Sequence, residues 1–419
     1  MSSLAPAISF RAADPPPPTR GLALGVLVCA DSLLPRLDFP RDGTAGLERG
    51  REILTEALRG AGIAPLPGHF AAHPERAWLA GLAFLASGLC ALGGGLGRNP
   101  RGRAWRPTLG PSALLSAALG LLALHGAFDP LLPPTQQVNV SAVIEPRGAV
   151  RQEILLVAHY DSKTEWLDHL SRGALAGAVA LVAGAALACA AIENRATRAA
   201  RRASPRPPGR RRWLLPVLAA AAGIGSILLG ANFLSGRFLR ERSHGIVDDG
   251  AACALLVELA SASRIQPPTG TRLHFLWSAA EEIGGQGSAA AVRAAAGRMP
   301  EAVLNLECLG AGSTLGVAGM EWTGRGLARS DGGLAQALAA AAPCRLQRLL
   351  IPIVSDAGPW RRGRVRAITL LGIGSHGLPA RGLHGPQDRL AGLDPAALDR
   401  VRRTVRAFLS ACDSLPATP

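Results

Sequence analysis

The chain has 419 residues, 48% of them hydrophobic, and carries a formal net charge of +15 at neutral pH. That length exceeds one average domain, and the apolar content leans toward a membrane protein rather than a soluble one. The charge does not mark a nucleic-acid binder, because Lys163 is the only lysine and the densest arginines, four and eight of them, gather in two short stretches. The seven cysteines are scattered without a CxxC pair, which excludes the usual structural zinc spacings.

In chain order, residues 1–20 read as a disordered lead containing Pro15 to Pro18. Residues 21–35 hold a short apolar run preceded by Arg20 and followed by Asp31; a signal-like anchor, a degenerate span and a core strand all fit it. Residues 47–62 then form an amphipathic helix, with Ile53, Leu54, Ala57 and Leu58 on one face.

Four stretches lack Asp, Glu, Lys and Arg over lengths that cross a bilayer, namely residues 77–97, 107–128, 173–192 and 213–236. Soluble helices of such length normally show a polar face, and these do not. They pair into two hairpins, residues 76–129 and 173–236. One connector holds Arg98, Arg101, Arg103 and Arg106, and the other holds eight arginines from Arg195 to Arg212. The positive-inside rule places both connectors in the cytoplasm. A multi-pass protein of the cell (inner) membrane is expected, with residues 21–75, 130–172 and 237–419 as one extracytoplasmic domain and the bilayer as a partner.

Outside the hairpins, strand-like segments at 139–144, 153–159, 272–278, 302–306, 345–353 and 367–371 alternate with helical ones at 251–260, 287–296 and 395–411. This pattern predicts an α/β fold, a three-layer sandwich around a mixed, mainly parallel sheet, interrupted by two transmembrane helical hairpins.

In such sheets ligand sites form beyond the carboxyl ends of the strands. His159 follows one strand, and Asp161 stands two residues on, where an acid orients a metal-bound imidazole. Asp248 and Asp249 precede a helix; capping explains one aspartate and leaves the other free to bridge two cations. Glu281 and Glu282 follow another strand, and adjacent acids there are costly without a cation. Glu282 reads as a ligand and Glu281 as the general base that takes a proton from water. Glu307 follows a fourth strand, and His384 lies in a later loop. Two histidines and three carboxylates make a donor set suited to two zinc ions.

The order His-x-Asp, Asp-Asp-Gly, Glu-Glu-x-Gly-x-x-Gly-Ser, Asn-x-Glu-x-x-Gly and His-x-x-x-Asp resembles the co-catalytic zinc exopeptidases, a family that includes bacterial leucyl aminopeptidases, aminopeptidase Y and glutamate carboxypeptidase. The resemblance runs from residue 138 to the C-terminus apart from the second hairpin. It implies hydrolysis of terminal peptide bonds, with an aminopeptidase as the first expectation. It also implies that Asp248 bridges the zincs, that His159 and Glu307 complete one ion, and that Glu282 and His384 complete the other. A strained peptide between Asp248 and Asp249, of which a cis bond is one form, belongs to the same implication. Two departures stand out: the position of Glu307 is often Asp in the family, and the segment between Asp161 and Asp248 is usually short.

The run His-Tyr-Asp-Ser-Lys also resembles glutaminyl-peptide cyclotransferases, which share the fold, use one zinc and make pyroglutamate. A noncatalytic membrane scaffold is the alternative from another class; the full ligand set and Glu281 argue against it. Ser355, Asp356 and Trp360 fall where family members shape the substrate pocket, and His376 lies in a Gly-rich loop that suits the same role.

Overall fold

In the computed structural model, residues 27–96, 106–203 and 214–414 are described, except 313, 350, 375 and 376. The run at 1–20, most of the apolar segment from Gly21, most of both arginine-rich connectors and His376 therefore lie outside the described residues. Ten strands can be traced: β1 (Leu66–Ala72), β2 (Thr135–Ile144), β3 (Gln152–His159), β4 (Thr271–Ser278), β5 (Ala302–Glu307), β6 (Thr314–Ala318), β7 (Met320–Trp322), β8 (Leu327–Arg329), β9 (Gln347–Leu349) and β10 (Arg366–Ile373). The helices are α1 (Ala30–Leu37), α2 (Thr44–Gly60), α3 (Glu75–Leu96), α4 (Arg106–Leu124), α5 (His169–Ala203), α6 (Leu214–Ser235), α7 (Ala251–Ile265), α8 (Gln286–Ala294), α9 (Gly332–Ala341), α10 (Ala357–Arg362) and α11 (Pro395–Ser414). Two units divide the chain. One comprises Met1–Ala72, Pro134–Thr164 and Glu241–Pro419, and the other His73–Pro133 and Glu165–Arg240.

The first unit is built on an eight-stranded mixed sheet of order β1-β2-β4-β3-β5-β10-β6-β9. Its centre, β4, β3, β5 and β10, is parallel, and antiparallel pairs flank it. The central strands read as nearly unbroken apolar runs because both faces are covered. Ile154, Leu156 and Ala158 of β3 join the core shared with α1, α2, α7 and α11, whereas the intervening Leu155 and Val157 join the one shared with α8 and α10. Side chains two apart share a face, so helices lie on both sides, as the sandwich reading expects. Residues 30–35 belong to this unit: α1 buries Ala30, Leu33, Leu34 and Leu37. The expected helix at 47–62 is α2, with Ile53, Leu54, Ala57 and Leu58 buried. The expected strand at 345–353 shrinks to β9, since Pro343 and Pro352 flank it and supply no ladder N–H.

The second unit consists of α3, α4, α5 and α6. Three of its segments are long and apolar enough to cross a membrane: Glu75–Gly93, His169–Ile192 and Leu214–Ser235. The described apolar part of α4, Ser112–Leu124, is shorter than a span. The second segment of this unit begins at Glu165. There the carboxylate pairs with Arg172, and the backbone N–H of Leu167 donates to Asn232 Oδ1 at 2.7 Å.

Glycines set the approach of α3 to α6. A Cβ on Gly88 would lie 2.4 Å from the Gly223 carbonyl oxygen, and one on Gly230 would lie 2.6 Å from that of Gly81. Small residues at such crossings allow backbone contact between apolar helices. Gly88→Val should therefore destabilise the detergent-solubilised protein by about 1–3 kcal/mol, the usual range for overpacking. Gly184→Val on α5, where nothing lies within 4 Å of the added carbon, should be neutral. Equal melting temperatures for the two variants would refute this packing.

Candidate metal centre

The candidate ligand residues meet because β3, β4 and β5 run parallel and stop at one edge. His159 pairs with Ser278, and Val157 with Asn305, so His159, the Glu281–Glu282 turn and Glu307 emerge together. Ala279 N–H donates to Asn139 Oδ1 at 3.0 Å, and Ala280 takes a left-handed φ of 60° to turn the chain. The two N–H groups of Glu281 and Glu282 then donate to Asp161 Oδ1 and Oδ2 at 3.2 and 3.1 Å. Gly287, in the same motif, admits no side chain: a Cβ would stand 2.1 Å from the Ala279 carbonyl oxygen.

His159 is 1% exposed. Its Nε2 lies 3.2 Å from Asp248 Oδ1 and 3.3 Å from Glu307 Oε1. His384 Nε2 lies 3.2 Å from the other Asp248 oxygen, Oδ2, and 3.1 Å from Glu282 Oε2. Asp248 thus offers one oxygen to each of two groups, His159 with Glu307 and His384 with Glu282. The Asp248–Asp249 peptide is cis.

These spacings fit zinc. Tetrahedral donors at ~2.0–2.1 Å from an ion stand about 3.3 Å apart, which is the separation found in both groups. Glu282 Oε1 and Asp249 Oδ1 are also buried without a partner among the described residues, and a cation nearby offsets the cost of such oxygens.

Electrostatics of the cluster tell the same story. Burial opposes a charge on His159, yet hydrogen bonding with Asp161, Asp248 and Glu307 outweighs it and lifts the imidazole well above its ordinary range. Asp248, against its own burial, is held well below the carboxylate range by His159 and His384. Glu307 is pushed up to about 7, chiefly by burial. Glu281, 8% exposed, is raised well above its ordinary value by burial and by the charges of Glu307, Glu282 and Asp356. A carboxyl that holds its proton more tightly is a better base.

Asp161 orients the imidazole through its backbone. His159 Nδ1 lies 3.1 Å from the Asp161 carbonyl oxygen, against 3.5 Å from Oδ1, while the carboxylate is engaged by the Glu281–Glu282 turn. Asp388, four residues after His384, braces the Asp248 turn by accepting from Val247 N–H at 2.7 Å. Asn305, beside Glu307, donates to its Oε2 at 3.0 Å. Ser355, Asp356 and Trp360 are 1%, 0% and 0% exposed and open onto no surface. Ser355 meets Thr369, Asp356 accepts from Ser278, and Trp360 packs in the apolar core behind β3.

A sheet edge that gathers this donor set, on this fold, defines the co-catalytic zinc exopeptidase class. Residues 227–409 match the family model described as Peptidase family M28. A structure of the zinc aminopeptidase BSAP from Bacillus subtilis is 11% identical at a TM-score of 0.51, covering 95% of this chain and 98% of that one. The aminopeptidase from Aneurinibacillus sp. strain AM-1 is 12% identical at 0.50, over 94% and 97%. Porphyromonas gingivalis glutaminyl cyclase is 16% identical at 0.47, over 92% and 99%. In another alignment to BSAP, at 13% identity and a TM-score of 0.40, 68% of this chain spans only 53% of that enzyme. Among curated proteins nothing matches.

Proposed function

We propose that the chain is a membrane-bound zinc exopeptidase that removes residues from the amino end of peptides. The observation that carries this reading is the placement of Asp248, with each carboxylate oxygen 3.2 Å from a different imidazole and each imidazole beside a further carboxylate. His159, Asp248 and Glu307 would hold one zinc, and His384, Asp248 and Glu282 the other. Bound there, the two ions supply Lewis acidity to the scissile carbonyl and lower the pKa of water. Glu281 takes the water's proton and returns it to the leaving amine. Asp161 keeps Glu281 and Glu282 in register, and Asn305 fixes the free oxygen of Glu307.

The apolar helices of the second unit support a bilayer anchor. Charged pairs Arg76–Asp129, Arg172–Glu165 and Arg237–Glu75 collect at the helix ends opposite the arginine-rich connectors. With those connectors in the cytoplasm, the unit that carries the metal centre faces outward.

Full-length protein in detergent should shorten unblocked peptides from the amino end, lose that activity on chelation and regain it with zinc, at two zinc ions per chain. Spheroplasts should cleave an impermeant peptide added outside. One zinc per chain with cyclisation of N-terminal glutamine would establish the cyclase chemistry instead, and shortening from the carboxyl end would reverse the direction proposed.

A further inference from the structure

Arg41 lies in the loop between α1 and α2, far in sequence from every residue of the metal centre and outside the M28 match. Its side chain is 0% exposed. A buried guanidinium would ordinarily sit on a carboxylate, but among the described residues Arg41 makes no ion pair and spends its donors on backbone carbonyls. Nε donates to Tyr160 O at 2.7 Å, Nη1 to Leu37 O at 2.5 Å and Nη2 to Gly245 O at 2.6 Å. Its backbone N–H donates to Ser162 Oγ at 2.8 Å, and its carbonyl accepts from Ser162 N–H at 3.2 Å.

Two of these carbonyls stand next to the metal donors. Tyr160 separates His159 from Asp161, and Gly245 begins the turn that delivers Asp248. We propose that Arg41 is a positioning residue of the metal centre: its guanidinium fork fastens the His159–Asp161 turn to the Asp248 turn and so sets the spacing between two zinc ligands. This inference rests on the reading of the cluster as a zinc site.

The surroundings are shaped for this side chain. A Cβ on Gly50 would stand 3.0 Å from Arg41 Cδ, and Cβ atoms on Gly245 and Gly250 would each stand 3.1 Å from Nη2. Gly245 also has a φ of 63°. Charge adds to the geometry: burial works against the cation, while Asp388, Asp161 and Asp249 nearby favour it. The same positive charge lowers the cost of gathering those acids before any metal arrives. Lysine cannot replace the fork, because one ammonium on a flexible stem does not reach three divergent carbonyls in fixed geometry.

The test uses the full-length protein in detergent. Zinc affinity is measured by competition with a chromophoric chelator, and ligand geometry by the visible spectrum of the cobalt-substituted protein. Arg41→Met should weaken zinc binding about 10- to 100-fold, the effect of losing a group that orients metal ligands, and should lower kcat more than it changes KM. Arg41→Lys should recover only part of the affinity and leave the cobalt spectrum altered. Gly50→Ala covers the case in which Arg41→Met does not fold: alanine favours helix α2 by about 1 kcal/mol, yet its Cβ presses on the enclosed Arg41 stem. That variant should stay folded and show weaker zinc binding with a shifted cobalt spectrum. Wild-type affinity and spectrum in Gly50→Ala, or in folded Arg41→Met, overturn the inference while the zinc reading stands. A wild-type chain that binds no zinc overturns both.

Discussion

Glu281→Gln is expected to lower kcat by about 10²- to 10⁴-fold, the range that a positioned general base contributes, while leaving two zinc ions bound. The substitution keeps the size of the side chain and the backbone N–H that Asp161 Oδ1 accepts at 3.2 Å, so the turn should hold its shape. What it removes is the acid of the turn that, among the described residues, forms no ion pair with an imidazole. Glu282, its neighbour, lies 3.1 Å from His384 Nε2, so Glu282→Gln should cost zinc as well as turnover. The two glutamates are therefore separable by measurement, with metal content by elemental analysis on one axis and kcat on the other. Unchanged hydrolysis in Glu281→Gln, or zinc loss equal to that of Glu282→Gln, would contradict the assignment.

The division between what could and could not be read from sequence follows sheet geometry. His159, Glu282 and Glu307 were legible because each ends or follows an apolar run, and parallel strands of matching length must bring such ends together. Asp248 and His384 were legible only in company, since an acid before a helix and a histidine in a loop are each ordinary. The orienting role of Asp161 was half visible: its position two residues on was informative, but whether the carbonyl or the carboxylate meets Nδ1 depends on where the Glu281–Glu282 turn lies. Ser355 and Asp356 were expected to shape the pocket only because family members do so at the matching positions, and Ser-Asp-Ala-Gly-Pro is turn-like. In the fold that turn starts α10, whose Trp360 packs into the core, and the polar side chains are buried with it. Arg41 had no signal at all: its partners are backbone carbonyls 119 and 204 residues away, and a carbonyl leaves no trace in a side-chain pattern. Strand β1 was missed because Pro67 and Gly68 disguise it, both tolerable on an edge strand that pairs with β2 alone.

A buried acid beneath the centre makes the last prediction. Glu321 is 0% exposed; Oε1 accepts from Thr369 Oγ1 at 2.6 Å, and Oε2 has no partner among the described residues. Burial, opposed only partly by Thr369 and by the charge of Arg361, raises its carboxyl from 4.5 to about 7. The folded protein therefore keeps this proton to a higher pH than the unfolded chain does. The favourable contribution is complete below about 4.5, the unfolded value, and is lost as pH rises through about 7, where the folded state must ionise a group with one unsatisfied oxygen. At ~1.4 kcal/mol for each tenfold difference in proton affinity, the loss amounts to about 3 kcal/mol by pH 8. Glu321→Gln copies the neutral acid, accepting from Thr369 with its carbonyl and carrying no titrating proton. The variant should match wild type in stability at pH 4 and exceed it by about 3 kcal/mol at pH 8, read from denaturation midpoints of the detergent-purified proteins. The same pH dependence in both proteins would show that Glu321 is not the titrating group. Because Thr369 also accepts from Asn305 at 3.4 Å, and Asn305 holds Glu307, the acid ends a chain that begins at a proposed zinc ligand.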